Sequence, residues 1–288
     1  MVMPAEVIYQ RAGHYLVFND GSGYQGNSED EGLGEGTVIG AEDISALDFI
    51  IEHAPKDLKL VKKKNLLVLQ RKIAGISYQV MSAQQYDQYT QQQESNDQAL
   101  ALQAFSLVCV VQDKNGHYHP QRLNISLNNQ VKHSVELYRS VKGSQFRASG
   151  GGYAQLRYSD QLPASWALMQ VSISMPNGLP ALVFKAQADI NGDVLLAFDR
   201  LPMPNLANDN AQYSCTLTIQ SDYALATDKN SMSSNIDSFS ETSLALQAND
   251  LSQLSELLVF DFHWGDRMRV SSENAAVLYL QAAQLPSG

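Results

Sequence analysis

The chain is short of charge. Only 17% of its 288 residues are Asp, Glu, Lys or Arg, against about a quarter in an average soluble domain. What charge there is leans one way: 20 basic residues face 30 acidic ones, for a net charge of −10. A surface of that sign repels phosphate backbones, so non-specific nucleic-acid binding is excluded. One basic cluster exists, Lys62-Lys63-Lys64 with Arg71 and Lys72, and it reads as a solvated edge. Cysteine is nearly absent. Cys109 and Cys215 sit in the apolar contexts "SLVCVV" and "YSCTLTI", which rules out a disulfide scaffold and leaves buried free thiols or one bridge between neighbouring strands. Long apolar runs are missing too. Nothing approaches the roughly 18 residues needed to span a bilayer, so no membrane insertion is expected. The stretch "MVMPAEVIYQRAGHYLVF" lacks the basic and apolar segments of a secretory leader. The expected location is cytoplasmic, or within a particle released from the cell by lysis.

Motifs of catalysis and ligand binding are also lacking. Gly21-Ser22-Gly23-Tyr24-Gln25-Gly26 spells G-x-G-x-x-G, but Glu29, Asp30 and Glu31 follow it. A dinucleotide site needs a helix N-terminus there, not acids that repel a diphosphate. Counted as a calcium loop from Asp189, the chain places Asn191 and Asp193 at positions 3 and 5. It then fails with Val194 at 6 and Arg200 at 12. His117 and His119 would share one strand face, yet no Cys or Glu completes a metal set nearby. They are expected as exposed histidines beside a turn. "FDFHWGD" puts Asp261 and His263 on one strand face, without a nucleophile elbow to serve. No catalytic residue, cofactor or metal is assigned. The 13 tyrosines and an exposed Trp264 leave room for stacking on a sugar, with Trp264 and Tyr153 as the candidate surface aromatics.

What is present is β pattern. Hydrophobic residues make up 44% of the chain, enough for a sizeable core. From Phe105 onward, short runs rich in Val, Leu, Ile, Tyr and Thr alternate with Gly, Pro, Asn and Asp. They are "FSLVCVVQ", "RLNISL", "HSVELYRSV", "AQLRYS", "WALMQVSISM", "ALVFKAQAD", "DVLLAFDRL", "QYSCTLTIQ", "ELLVFDFHW", "RMRVSS" and "AAVLYLQAAQL". Such spacing predicts a sandwich or barrel. Before it, "EVIYQRAGHYLVF" predicts two strands, and "NLLVLQ" and "GISYQVM" two more. Ile44, Leu47, Ile50 and Ile51 recur at helical spacing, predicting a helix over about 42–53. Residues 19–36 are rich in Gly and acids, and residues 226–243 in Ser; both read as loops. The Gln-rich stretch 82–103 reads as a polar helix or a tether. The expected fold is mainly β: one or two antiparallel β-sandwiches, Ig-like or transthyretin-like, with a small N-terminal α+β region. Residues 1–81 would form that region, 82–103 the linker, and 104–288 the sandwich part.

Asp-x-Asn-Gly occurs twice, at Asp113, Asn115 and Gly116 and at Asp189, Asn191 and Gly192, each time between apolar runs. Asn-Gly tolerates the positive φ of a tight hairpin, and the Asp can accept from turn amides. Both bends are expected to be hairpin turns. "GLPALVFKAQADINGDVLLAFDRLP" resembles the carboxypeptidase-regulatory-like (transthyretin-like) β-sandwich family, through Ala188-Asp189, Gly192, Val194, Leu196 and Phe198. The likeness covers roughly 160–222. The order "AFSLVCVVQDKNGHYHPQRLNISL", "SVELYRS", "PASWALMQV", "ADINGDVLLAFDRLP" is similar to β-sandwich proteins of phage-tail-like contractile injection systems. That resemblance implies a non-catalytic structural or adaptor subunit whose partners are other protein subunits. A carbohydrate- or surface-binding module, with a glycan as partner, is the alternative.

Overall fold

The structure is a computed structural model that describes residues 14–25, 39, 41–63, 66–71, 105–127, 132–175, 179–203, 212–228, 230–233, 239–247 and 250–281. The strand expected before His14, the "GISYQVM" strand and the stretch 82–103 lie outside the described residues.

The protein is mainly β. In chain order the first elements are β1 (His14–Asp20), β2 (Gly23–Gln25), helix α1 (Ala41–Ala46), β3 (Leu47–His53), β4 (Leu58–Lys62), β5 (Leu66–Arg71), β6 (Phe105–Asp113), β7 (Gln121–Leu127) and β8 (Lys132–Leu137). There follow β9 (Gly151–Tyr158), β10 (Leu168–Ile173), β11 (Leu182–Gln187), β12 (Asp193–Ala197), β13 (Gln212–Ser221) and helix α2 (Tyr223–Thr227). The last are β14 (Ser240–Glu241), β15 (Leu244–Gln247), β16 (Asp250–Ser255), β17 (Leu258–His263), β18 (Arg267–Arg269) and β19 (Leu278–Leu280).

Two cores organise these strands. The first lies between the sheet β4-β5-β1-β8 and the sheet β3-β6-β7, and buries Leu16, Phe18, Leu69, Leu107, Cys109 and Leu137. The second lies between β13-β10-β11-β2, with β14 and β17 also on β13, and β12-β9-β19-β15-β16, with β18 also on β9. Alternation builds this core directly. β13 buries Tyr213, Cys215, Leu217 and Ile219, and β12 buries Val194 and Leu196, with the residues between them facing outward. Phe198 joins Phe184 to Phe262, at ring separations of 5.1 and 4.7 Å. Strands β6 to β8, grouped by sequence with the C-terminal region, share the core of the N-terminal strands. β2 leaves the first sandwich to pair with β11 at the edge of the second.

Several sequence expectations are overturned. The helix expected over 42–53 ends at Ala46, and Leu47–His53 is strand β3, paired antiparallel with β6. Ile44 and Leu47 are buried as a helical face would require, but Ile50 and Ile51 are 51% and 44% exposed. Two adjacent β-branched residues favour the strand, and the β6 ladder supplies the backbone bonds. The loop expected from residue 19 is strand at Asn19-Asp20 and again at Gly23–Gln25. Among the described residues, no helix starts at Gly21 or Gly23. The Ser-rich stretch from 226 is not wholly loop. α2 runs to Thr227, Ser231 and Ser233 are buried, and β14 follows. β4, β15 and β16 carried no strand prediction, because "DLKLVK", "LALQ" and "DLSQLS" lack β-branched or aromatic density.

The two Asp-x-Asn-Gly bends share a mechanism but not a role. In the first, the Asp113 carboxylate accepts from the amides of Asn115 (2.9 Å), His117 (2.7 Å) and Tyr118 (3.1 Å), and β6 and β7 pair as a hairpin. In the second, Asp189 accepts from Asn191 (2.8 Å) and Asp193 (2.9 Å). Here the hairpin expectation fails, because β11 pairs with β10 and β2 while β12 pairs with β9. The bend at Asp189, Asn191 and Gly192 carries the chain from one sheet to the other. Only the glycines take positive φ, +68° at Gly116 and +82° at Gly192. The asparagines do not, so neither bend is the tight turn with two left-handed residues.

Cys109 and Cys215 are buried in different cores and are free. Burial, with Glu52 second, pushes the Cys109 thiol up to about 11; burial, with Asp261 second, pushes Cys215 up to about 12. Both stay protonated near pH 8, and the thiolate is the nucleophile. We therefore expect a thiol-specific disulfide reagent to label neither cysteine in the native protein and both in denaturant. Rapid native labelling would refute this packing.

Candidate functional site

Asp20, Tyr118, His119 and Arg139, four of the residues whose ionisation is shifted, lie where the two sandwiches meet. The end of β1 and the start of the segment after β8 bring Asp20 against Arg139. The Arg139 Nε donates to the Asp20 carboxylate at 2.6 Å, with side-chain exposures of 36% and 8%. The Ser22 amide also donates to Asp20 (3.0 Å), and the Arg139 amide donates to the Ser22 hydroxyl (2.6 Å). The chain must pass close here: a Cβ on Gly21 would meet the Tyr138 ring at 2.7 Å. Burial outweighs Arg139 and holds the Asp20 carboxyl above its usual range. Burial, with Asp20 second, raises the neighbouring Tyr118 phenol well above its own. Beside this pair opens a recess of about 260 Å³ lined by Asp43, His117, Arg139, Lys142, Gln145 and Arg147. Its cations are largely engaged, Arg139 with Asp20 and Lys142 with the Asn115 carbonyl at 2.7 Å.

The second half of the junction is uncharged. His119, on the connection from β6 to β7, is buried and donates through Nε2 to the Gln187 carbonyl at 3.1 Å. Its ring meets Trp166 edge-on, at 5.6 Å and 81°. Gln187 donates its side-chain amide to the Trp166 carbonyl (3.1 Å) and the Ser233 hydroxyl (2.7 Å). The Trp166 indole donates to Ser231, and the Arg122 amide to the Ser233 carbonyl. Trp166 takes a left-handed backbone, φ +64°. That conformation costs a bulky residue about 1–3 kcal/mol and persists only where its surroundings fix it. The sequence expectation of an exposed His119 is therefore wrong: it packs between domains while His117 stays exposed. Its ring partners, Trp166 and Gln187, lie far along the chain, Gln187 68 residues away, so no local pattern marked it. The two histidines share neither a face nor a ligand set. Among the described residues no group of three or more His, Cys, Asp or Glu side chains is placed to hold a metal.

The candidate aromatics are placed differently from expectation. Trp264 is not fully exposed; it packs on the second core and donates its indole N–H to the Leu201 carbonyl at 3.1 Å. Tyr153, on β9, is half-buried, and its hydroxyl donates to Asp193 at 2.8 Å. His263 engages Gln212 (3.1 Å) and Asp266 (3.4 Å), both near the surface, and Asp261 is exposed on the same strand. Among the described residues, no hydroxyl or thiol is bonded to the ring of His119 or His263.

A different feature stands at the far edge of the second sandwich. Two residues separate β16 from β17, so the edges of its two facing sheets lie side by side. β16 pairs with β15, and β17 with β13. Among the described residues no strand pairs with the other side of either. Leu254, Leu257 and Val259 are 38%, 42% and 59% exposed along this edge. Sequence reading could mark Val259 as strand but not as outward, because "ELLVF" is apolar on both faces. Among the described residues no helix is long and apolar enough to cross a membrane. No family model matches the sequence, and neither a curated protein nor a solved structure matches it.

Proposed function

We propose that this chain is a non-catalytic structural or adaptor subunit of a larger assembly, of the phage-tail-like contractile kind its strand and turn order resembles. It would dock through the β16–β17 edge. The supporting observation is that edge itself: two adjacent strands, each paired on one side only among the described residues, carrying exposed Leu254, Leu257 and Val259. Open edges invite strand pairing, and soluble proteins usually blunt them with charge, proline or a bulge. Strand addition by a partner supplies affinity through main-chain hydrogen bonds and specificity through alternate side chains. On β17 the outward positions are Val259, Asp261 and His263, an apolar contact beside polar ones. The low overall charge of the surface suits contact with other subunits rather than with a polyanion.

The test is co-purification of partner subunits with the native chain from its own cells, compared with L257K/V259K. The double variant should lose its companions while its unfolding free energy stays within about 0.5 kcal/mol per exposed substitution. A lone monodisperse monomer from the native lysate, with no particle by electron microscopy, would overturn the reading.

A further inference from the structure

We propose that the first sandwich holds a slot between β7 and β8 that takes one extended strand from a partner, alternating apolar and acidic residues. The two strands run in opposite directions and meet at one end. There Tyr118 and Arg139 form an antiparallel bridge, and the His119 amide donates to the Tyr138 carbonyl at 2.9 Å. Further along they part. Among the described residues β8 pairs with β1 alone, and β7 with β6, apart from one parallel bridge between Gln121 and Ser233. Between them opens a cavity of about 740 Å³, lined by residues 121–126 of β7 and 132–136 of β8.

Backbone groups of both strands face this cavity. The Arg122 amide points away from β6 and donates to the Ser233 carbonyl at 2.8 Å. Backbone groups alternate sides along a strand, so those of Asn124 and Ser126 point the same way. On β8 the Leu137 carbonyl turns towards the β1 side, accepting from Gly21 at 2.9 Å, so the groups of Ser134 and Glu136 turn into the slot. The Ser233 bridge is parallel to β7. A strand laid in that direction runs antiparallel to β8 and can bond both edges, which is how strand addition gains affinity.

Side chains set what the slot accepts. On its inward face Leu123 and Val135 belong to the first core, and Ile125 packs on it. On its outward face stand Lys132 and, from β11, Lys185, with Glu136 as the carboxylate; Arg122 is held by Glu52 at 2.7 Å. In a chain of net charge −10, that lysine excess is a local reversal of sign. Successive residues of an inserted strand face opposite sides, apolar ones towards the core and acidic ones towards the lysines. No residue of β16 or β17 lines the slot, so it is a second docking element, distinct from that edge.

The probe is a blocked peptide of alternating valine and aspartate, six residues long like β8, added to the full chain while amide hydrogen exchange is followed by NMR. In the free chain the amides of Asn124, Ser126, Ser134 and Glu136 should exchange fast, unlike those of Leu123 and Ile125, which face β6. Saturating peptide should slow the four at least about tenfold. A valine–lysine peptide should bind at least about tenfold more weakly, and K132E/K185E should reverse that order. Asn124→Pro removes one outward amide, leaves the β6 ladder intact, and should weaken binding by at least about tenfold. Protection of the four amides in the free chain would show that the chain fills its own slot and overturn the proposal. No protection by the aspartate peptide, equal binding of the two peptides, or protection at β16 and β17 instead would also overturn it. Should a variant not fold, exchange and the two-peptide comparison in the unsubstituted chain decide.

Discussion

Arg139→Ala is expected to lower stability by about 3 kcal/mol at pH 7, the low end of the range for stripping one partner from a buried ion pair. The low end applies because Arg139 is 36% exposed while Asp20 is 8% exposed. The loss comes from stranding a carboxylate, since Asp20 would keep the Ser22 amide at 3.0 Å and a long 3.5 Å contact from the Tyr118 hydroxyl. The pH dependence distinguishes this cause from lost packing. The Asp20 carboxyl already lies above its ordinary 3.8 because of burial, with Arg139 opposing. Its contribution to stability is thus greatest below 3.8 and declines as pH rises through the folded value. Without Arg139 that folded value climbs further. The deficit of R139A should therefore be large at pH 7 and shrink towards pH 4 in urea unfolding. A double-mutant cycle with D20N should show positive coupling. An R139A deficit that does not vary with pH would assign the effect to packing.

Gly192→Ala is expected to cost about 3 kcal/mol, and Gly116→Ala about 1 kcal/mol, although both glycines occupy the same sequence motif. Each sits at positive φ, which accounts for the shared part. The difference is space. A Cβ at Gly116 would come no nearer than 3.7 Å to the end of the Lys142 side chain, whereas at Gly192 it would lie 2.2 Å from the Leu156 carbonyl oxygen. The Leu156 amide donates to the Gly192 carbonyl at 2.8 Å, so β9 is clamped against the bend and backbone must move to admit a methyl. Chemical denaturation of the two variants side by side checks this. Equal losses would mean that β9 yields freely and the inter-sheet bend is not tightly seated.

Most strands from Phe105 onward were legible because alternation is written into neighbouring residues: Tyr213, Cys215, Leu217 and Ile219 point inward whatever lies opposite. The Asp caps were legible for the same reason, since each Asp bonds amides within five residues of itself. Ile50 and Ile51 misled because helical spacing is ambiguous over so short a stretch, and pairing with β6 decided the outcome. The junction left no local trace. His119, Trp166, Gln187 and Ser233 are joined by bonds spanning 21 to 68 residues, and none belongs to a recognisable motif. Trp264 looked like a surface ring because "HWGD" is polar, yet its indole covers the second core.

By itself the sequence determined a mainly β chain, low in charge and net acidic, with bends capped by Asp and both cysteines inside strands. These follow from side-chain period and turn chemistry, which act between near neighbours. Only the tertiary structure decided that the two similar bends do different work, that β6 to β8 join the N-terminal core, and which edge is left open. It also placed a buried histidine between the sandwiches. Those outcomes depend on which strand lies beside which, and that choice is made by burying apolar faces contributed from distant parts of the chain.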